Sequence, residues 1–180
     1  DSMTVDNAAK AVAAFERTLI TPNSPYDKYV KGDKKAMTEQ QVRGMETFAS
    51  AGCTSCHSGA AFNGPKMEFG QGFYSKFPTF TDNNPYDKKY KLSADKGREE
   101  ATGNTADAHM FRVPTLRNIT DTAPYFHNGS VNDLSEAVRV MAKSQLNKDL
   151  SDKEVADIVA FLGALTGEYP EITMPRLPAT

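Results

Sequence analysis

Between Thr4 and Ile20 the apolar positions Val5, Ala8, Val12, Phe15 and Leu19 recur at steps of three and four, which places them on one face of a helix. The run Thr21-Pro22-Asn23-Ser24-Pro25 ends that pattern, because proline cannot continue helical hydrogen bonding. A short segment bearing tyrosine and lysine follows. Thr38 and Gln41 have the spacing of a capping box and open a second predicted helix, with Val42, Met45 and Phe48 on one face and Gly52 as its stop. From Ser58 to Asn118 the periodicity fails, and Gly, Pro, Asn, Asp and aromatic residues dominate. Asp95-Lys96-Gly97 and Gly103-Asn104 read as turns within it. So long an irregular stretch signals either a covering segment with a function or short elements that periodicity does not reveal.

Helical spacing returns in the last third. Asp133 or Asn132 caps a helix with Leu134, Ala137, Val138 and Met141 on one face. Ser151 and Glu154 form another capping box, ahead of the strongest amphipathic pattern in the chain: Val155, Ile158, Val159, Leu162 and Leu165, with Gly167 as the expected end. The tail from Tyr169 to Thr180 holds Pro170, Pro175 and Pro178 and is expected to lie extended over the surface. No internal repeat is visible. The pattern predicts a mainly α protein with a long irregular middle.

At 180 residues the chain can close one substantial core. A formal net charge of −2 predicts no nucleic-acid partner. With 39% apolar residues and no tryptophan, that core should be aliphatic with phenylalanine filling the rest. No stretch approaches the ~20 apolar residues of a membrane span. The N-terminus lacks the charged and apolar regions of a signal peptide, so a processed product or a fragment is expected.

The candidate chemistry sits in GCTSCHSG. Cys53, Cys56 and His57 form a C-x-x-C-H run, the spacing at which two thiols bond to the vinyl groups of one haem and the next imidazole reaches its iron. A zinc site would need more cysteines than the two present, and no strand-turn-helix context supports a thioredoxin-type dithiol. One covalent haem c is expected, and its attachment after export implies a periplasmic location. A flat apolar cofactor would also let Phe62, Phe69, Phe73 and Phe111 pack without regular structure, although packing on protein accounts for each of them equally well. Arg112 and Arg117 flank Pro114 and suit bidentate pairing with a propionate, against the alternative of ordinary surface arginines. His127 is a candidate for a haem-edge or domain-junction contact, against that of a satisfied structural histidine.

The sixth iron position separates electron transfer from chemistry at the metal. A methionine thioether opposite histidine raises the potential and suits transfer, whereas an open position suits reaction with a small molecule. Seven methionines compete with His109 and His127 for it. Met45 and Met174 have ordinary roles available, and Met3, Met37 and Met67 lack a supporting pattern. Met110 and Met141 remain, on equal footing.

The segments VDNAAKAVAAFERTLITPNSPYDKYVKGD, GCTSCHSG, DKGR, FRVPTLRNITDTAPYFHNGS, SEAVRVM, LSDKEVADIVAFLGALTG and MPRLPAT resemble the C-terminal half of bacterial di-haem cytochrome c peroxidases, a family that includes MauG-like enzymes. The resemblance implies a cytochrome c-like helical domain around one covalent haem at 37–168, an interdomain helix and linker at 1–36, and an extended tail at 169–180. It also implies a high-potential haem with His57 proximal and Met141 distal, which leaves Met110 as a core or pocket residue. MauG-like members carry tyrosine where Met141 stands, so the peroxidase branch is implied. The second C-x-x-C-H motif of the family, and with it the peroxide-reducing haem, lies in an N-terminal domain absent here; no catalytic residue is expected in this chain. Thr122 and Pro124 match positions whose carbonyls bind an interdomain calcium in the family, but a side-chain ligand would come from the absent domain and calcium takes six to eight oxygens.

Implied partners are a small electron donor, cytochrome c or cupredoxin, the missing peroxidatic domain and a second copy in a homodimer. The alternatives are a stand-alone mono-haem carrier, or an open-site haem protein with weak peroxidase or ligand-binding activity.

Overall fold

The computed structural model describes residues 3–68, 70–173 and 176. Seven helices and one two-stranded ribbon are present among them: α1 (Val5–Glu16), α2 (Pro25–Val30), α3 (Glu39–Ala51), β1 (Tyr74–Lys76), α4 (Pro85–Tyr90), α5 (Arg98–Thr102), β2 (Met110–Arg112), α6 (Leu134–Leu146) and α7 (Asp152–Gly163). The protein is mainly α. Its longer helices start where side chains cap them: the Thr38 and Ser151 hydroxyls accept from the amides of Gln41 and Glu154, whose side chains return the bond, and Asp133 accepts from Glu136. Gly52, at φ 100°, ends α3.

The main core lies where α3 crosses α7. Met37, Phe48, Phe62, Ile158, Phe161, Leu162, Ala164 and Leu165 form it, and Tyr26 from α2 closes one side. Phe161 is 1% exposed, and hiding a side chain of that size stabilises the fold by roughly 1.5–3 kcal/mol. Its ring meets Phe48 at 5.4 Å and Phe62 at 6.0 Å in tilted or edge-on geometry. A second apolar cluster, Phe77, Leu92 and Val140, sits under α4 and α6 and draws in Tyr86, Tyr90, Phe111, Phe126 and Met141.

The irregular middle contains more structure than its sequence period suggests. β1 and β2 pair antiparallel with Tyr74 opposite Arg112 and Lys76 opposite Met110. α4 and α5 are six and five residues long, too short for a helical repeat to emerge. Two predicted boundaries also move. α1 stops at Glu16 rather than Ile20, where the Thr18 hydroxyl bonds the Phe15 carbonyl in a closing turn. α7 stops at Gly163, and Gly167 serves packing instead of capping: a Cβ there would lie 2.1 Å from the Thr21 carbonyl oxygen. Residues 169–173 carry no regular structure, whereas Phe69, Met174, Pro175 and Pro178 lie outside the described residues.

Candidate functional site

The left-handed turn at Gly52 throws the chain from α3 into a 3-10 turn at Cys53–Ser55, so both thiols and His57 follow the helix within one loop. The His57 and Cys56 amides both donate to the Cys53 carbonyl, at 2.9 and 3.3 Å. Cys53 is half-buried against the main core, and desolvation pushes its thiol up to about 11. Cys56 Sγ lies 3.8 Å from the Ser75 hydroxyl on β1. Neither thiol is in a disulfide.

His57 packs beside Phe48, and its Nδ1 is 3.0 Å from the Phe62 carbonyl oxygen. A carbonyl only accepts, so Nδ1 carries the proton and Nε2 keeps its lone pair. Burial holds the imidazole pKa below its ordinary value, with the Phe62 bond opposing. The ring is therefore neutral and oriented, the form in which histidine ligates a metal.

Three successive carbonyls in the following loop have separate partners. Ala60 accepts from Arg117, Ala61 from the Thr115 hydroxyl and the Leu116 amide, and Phe62 from His57. Arg117, expected from the sequence to suit a propionate, has protein partners on every side. Its Nε and Nη2 bond Ala60, its Nη1 and Nη2 bond the two Asp27 carboxylate oxygens at 3.0 and 2.8 Å, and Nη1 also reaches Ser24 Oγ. All five guanidinium N–H groups are engaged within the protein. Arg112 differs: it is exposed, lies over Gly72, and its side chain makes no hydrogen bond or ion pair among the described residues.

Met141 is half-buried on α6 and packs against the second cluster, while Met110 is half-buried on β2. Met37 belongs to the main core, Met45 packs on it, and Met3 and Met67 are exposed. His109 places Nδ1 3.0 Å from the Asp95 carbonyl oxygen. His127 stacks on Phe111 at 4.4 Å and meets Phe77 edge-on at 5.9 Å. Its Nε2 is buried without a partner, as is Oε1 of Gln145, whose amide nitrogen bonds Ser75 Oγ and the Lys76 carbonyl. Asn118 Nδ2 and Ser130 Oγ are buried and unpaired as well, so these atoms do not single out one site. Two free thiols and an oriented imidazole within one loop are what fit a covalently anchored haem.

Thr122 and Pro124 are exposed. Their carbonyls are two of the six to eight oxygens calcium takes, and among the described residues no three His, Cys, Asp or Glu side chains group to hold an ion. By themselves they do not make a calcium site.

Sequence reasoning missed Asp27 and Ser24, the partners of Arg117, and Ser75 and Gln145 beside Cys56. Ser24-Pro25-Tyr26-Asp27 carried a legible signal, since it is a capping box that the structure closes at the start of α2. Ser75 and Gln145 meet from remote parts of the chain and had none.

Over 178 residues the chain is 42% identical to the cytochrome c551 peroxidase of Nitrosomonas europaea, covering 99% of this chain and 49% of that protein. The family model described as di-haem cytochrome c peroxidase matches residues 1–35. The chain belongs to the di-haem cytochrome c peroxidase and MauG family. Another family member, the cytochrome c551 peroxidase of Pseudomonas aeruginosa, is 42% identical over 97% of this chain and 48% of its own length. The methylamine utilization protein MauG of Methylophilus methylotrophus is 30% identical over 99% of this chain and 52% of its own. A MauG-like protein associated with microbial copper homeostasis has a similar solved structure, with TM-score 0.70 and 26% identity over 93% of this chain and 58% of that one. The chain thus spans about half the length of the curated peroxidases it matches. No helix among the described residues is long and apolar enough to cross a membrane.

Proposed function

We propose that this chain is the electron-transfer half of a periplasmic di-haem cytochrome c peroxidase. It accepts electrons from a small cytochrome or cupredoxin and passes them to a second haem, in a domain outside this chain, where hydrogen peroxide is reduced to water. The observation that carries the reading is the Cys53–Cys56–His57 run at the exit of α3, with Nδ1 of His57 held by Phe62 and Nε2 left for iron. When bound, haem c supplies a one-electron ferric/ferrous couple.

The residues of this chain divide the work of holding it. Cys53 and Cys56 would anchor it, and His57 and Met141 would supply the imidazole and the thioether that hold its iron. A thioether ligand would favour ferrous iron and disfavour peroxide binding, which suits electron transfer and leaves peroxide chemistry to the partner domain. The second apolar cluster around Phe77, Leu92 and Val140 braces the Met141 side. At the haem edge the Arg112 side chain would have donors to offer, whereas the N–H groups of Arg117 are taken.

The test is the chain matured by export. Intact mass should show one haem added, and the ferric protein should give a low-spin EPR signal with a thioether-to-iron charge-transfer band. It should accept electrons quickly and turn over peroxide poorly. A high-spin spectrum that shifts on adding cyanide would overturn the assignment of Met141 and the carrier role with it.

A further inference from the structure

We propose that Arg117 is a positioning residue for His57: clamped on Asp27, it fixes the 58–64 loop so that the Phe62 carbonyl stays on Nδ1, and so sets the reduction potential of the centre. The proposal rests on the reading of His57 as an iron ligand.

The clamp joins parts of the chain that have no local reason to meet. Arg117 and Asp27 are 90 residues apart in sequence, and both side chains are only 18% exposed. Asp27 already serves the capping box of α2, and Arg117 adds a fork to its two oxygens while also gripping the Ala60 carbonyl through Nε and Nη2. Burial pushes the Asp27 pKa up, but Arg117 and Ser24 outweigh it and hold the carboxyl below its ordinary value. The guanidinium carbon also lies 5.6 Å from the ring centres of both Tyr26 and Phe62.

Phe62 needs such support. Its backbone is left-handed at φ 53°, an uncommon conformation for a bulky residue, and its side chain is 6% exposed between Tyr26 and Phe161. A conformation of this kind persists where its surroundings fix it. Here they do so through Ala60 on Arg117 and Ala61 on Thr115 and Leu116, immediately before the carbonyl that holds His57.

The functional consequence follows from the chemistry of the imidazole. Donation from Nδ1–H to a carbonyl makes Nε2 more basic, which favours ferric iron and lowers the potential. Loosening the Phe62 carbonyl weakens that donation. The potential should then rise.

The experiment uses the haem-loaded chain as wild type, Arg117→Ala, Arg117→Lys, Asp27→Asn and, as control, Lys10→Ala on the exposed helix α1. Arg117→Ala and Asp27→Asn are expected to shift the midpoint potential positive. They should also make the His57 Nδ1 proton of the reduced protein exchange roughly tenfold faster, as loss of a modest hydrogen bond would. Arg117→Lys keeps the charge without the fork and should fall between, and Lys10→Ala should match wild type. The double variant should shift no further than Arg117→Ala, because the pair acts as one unit.

An unchanged midpoint and unchanged exchange in Asp27→Asn, with haem content and spectrum retained, would overturn the proposal even if Arg117→Ala failed to mature. Failure of the underlying reading looks different: the wild-type protein itself would lack attached haem or a His57 ligand signal before any variant is compared.

Discussion

Gly44 of α3 lies directly against the backbone of Asp157 in α7: a Cβ built on Gly44 would stand 1.8 Å from the Asp157 carbonyl oxygen and 2.9 Å from Phe161 Cβ. Neither neighbour is the free end of a flexible side chain, so a methyl group must part the helices that form the main core. Gly44→Ala should therefore lower stability by about 2–3 kcal/mol, the upper part of the range for overpacking. Gly163, at the end of α7, has nothing within 4 Å of its notional Cβ and no positive φ. Gly163→Ala should be neutral or stabilise by about 0.4–1 kcal/mol by restricting the unfolded chain. Denaturant midpoints of the two variants check the contrast.

Met141 and Met110 are both half-buried, but only Met141 packs on the cluster under α4 and α6. If its sulfur closes the iron, Met141→Ala abolishes the thioether charge-transfer band and opens the site to cyanide, while Met110→Ala keeps the band. Absorption spectra of the oxidised variants decide between them. The reverse pattern would move the ligand to β2.

What the sequence revealed and what it hid divide along a physical line. The capping boxes at Thr38 and Ser151, the Asp133 cap and the Gly52 stop are interactions between residues three or four apart or single-residue backbone preferences, so they are written locally. The same holds for Cys53, Cys56 and His57. β1 and β2 are three residues each and pair Tyr74 with Arg112, a relationship that no window of sequence contains. Arg117 carried the right charge at the right place, but its partner Asp27 is remote, and the carbonyl of Phe62 has no residue-type signature because any residue supplies one. Gly167 looked like a cap and is a contact with Thr21, since close approach and a positive φ leave the same letter in the sequence.

The Asp27–Arg117 pair predicts an acid-dependent loss of stability. The folded carboxyl has a pKa below its unfolded value of about 3.9, so its contribution is fully present above that value and is lost as pH falls through the native one. At neutral pH Asp27→Asn should cost about 2 kcal/mol, in the range for hydrogen bonds to a charged group. As pH falls through the native pKa of Asp27 the wild type and the variant should converge. Urea denaturation of the two proteins from neutral to acid pH measures this, and a constant difference across the series would contradict it.

α1 stands apart from the rest of the fold energetically. None of its residues is buried, Val5 is 88% exposed and Val12 56%, so the apolar face seen in its sequence finds no core within this chain. A helix of 12 residues without tertiary packing is marginal in water, where nucleation cost is not repaid by propagation. Its backbone amides should therefore exchange with solvent orders of magnitude faster than those of α7, whose Val155, Ile158, Phe161 and Leu162 are buried. Removing residues 1–18 should leave the denaturant midpoint of the remaining chain almost unchanged, because Thr21 and Ser24, which bond Asn118 and Arg117, are retained. Leu165→Ala, at a position with no exposed surface, should by contrast cost about 2–5 kcal/mol. If the truncated chain lost stability on that same scale, α1 would have to hold a packing role that its exposure denies.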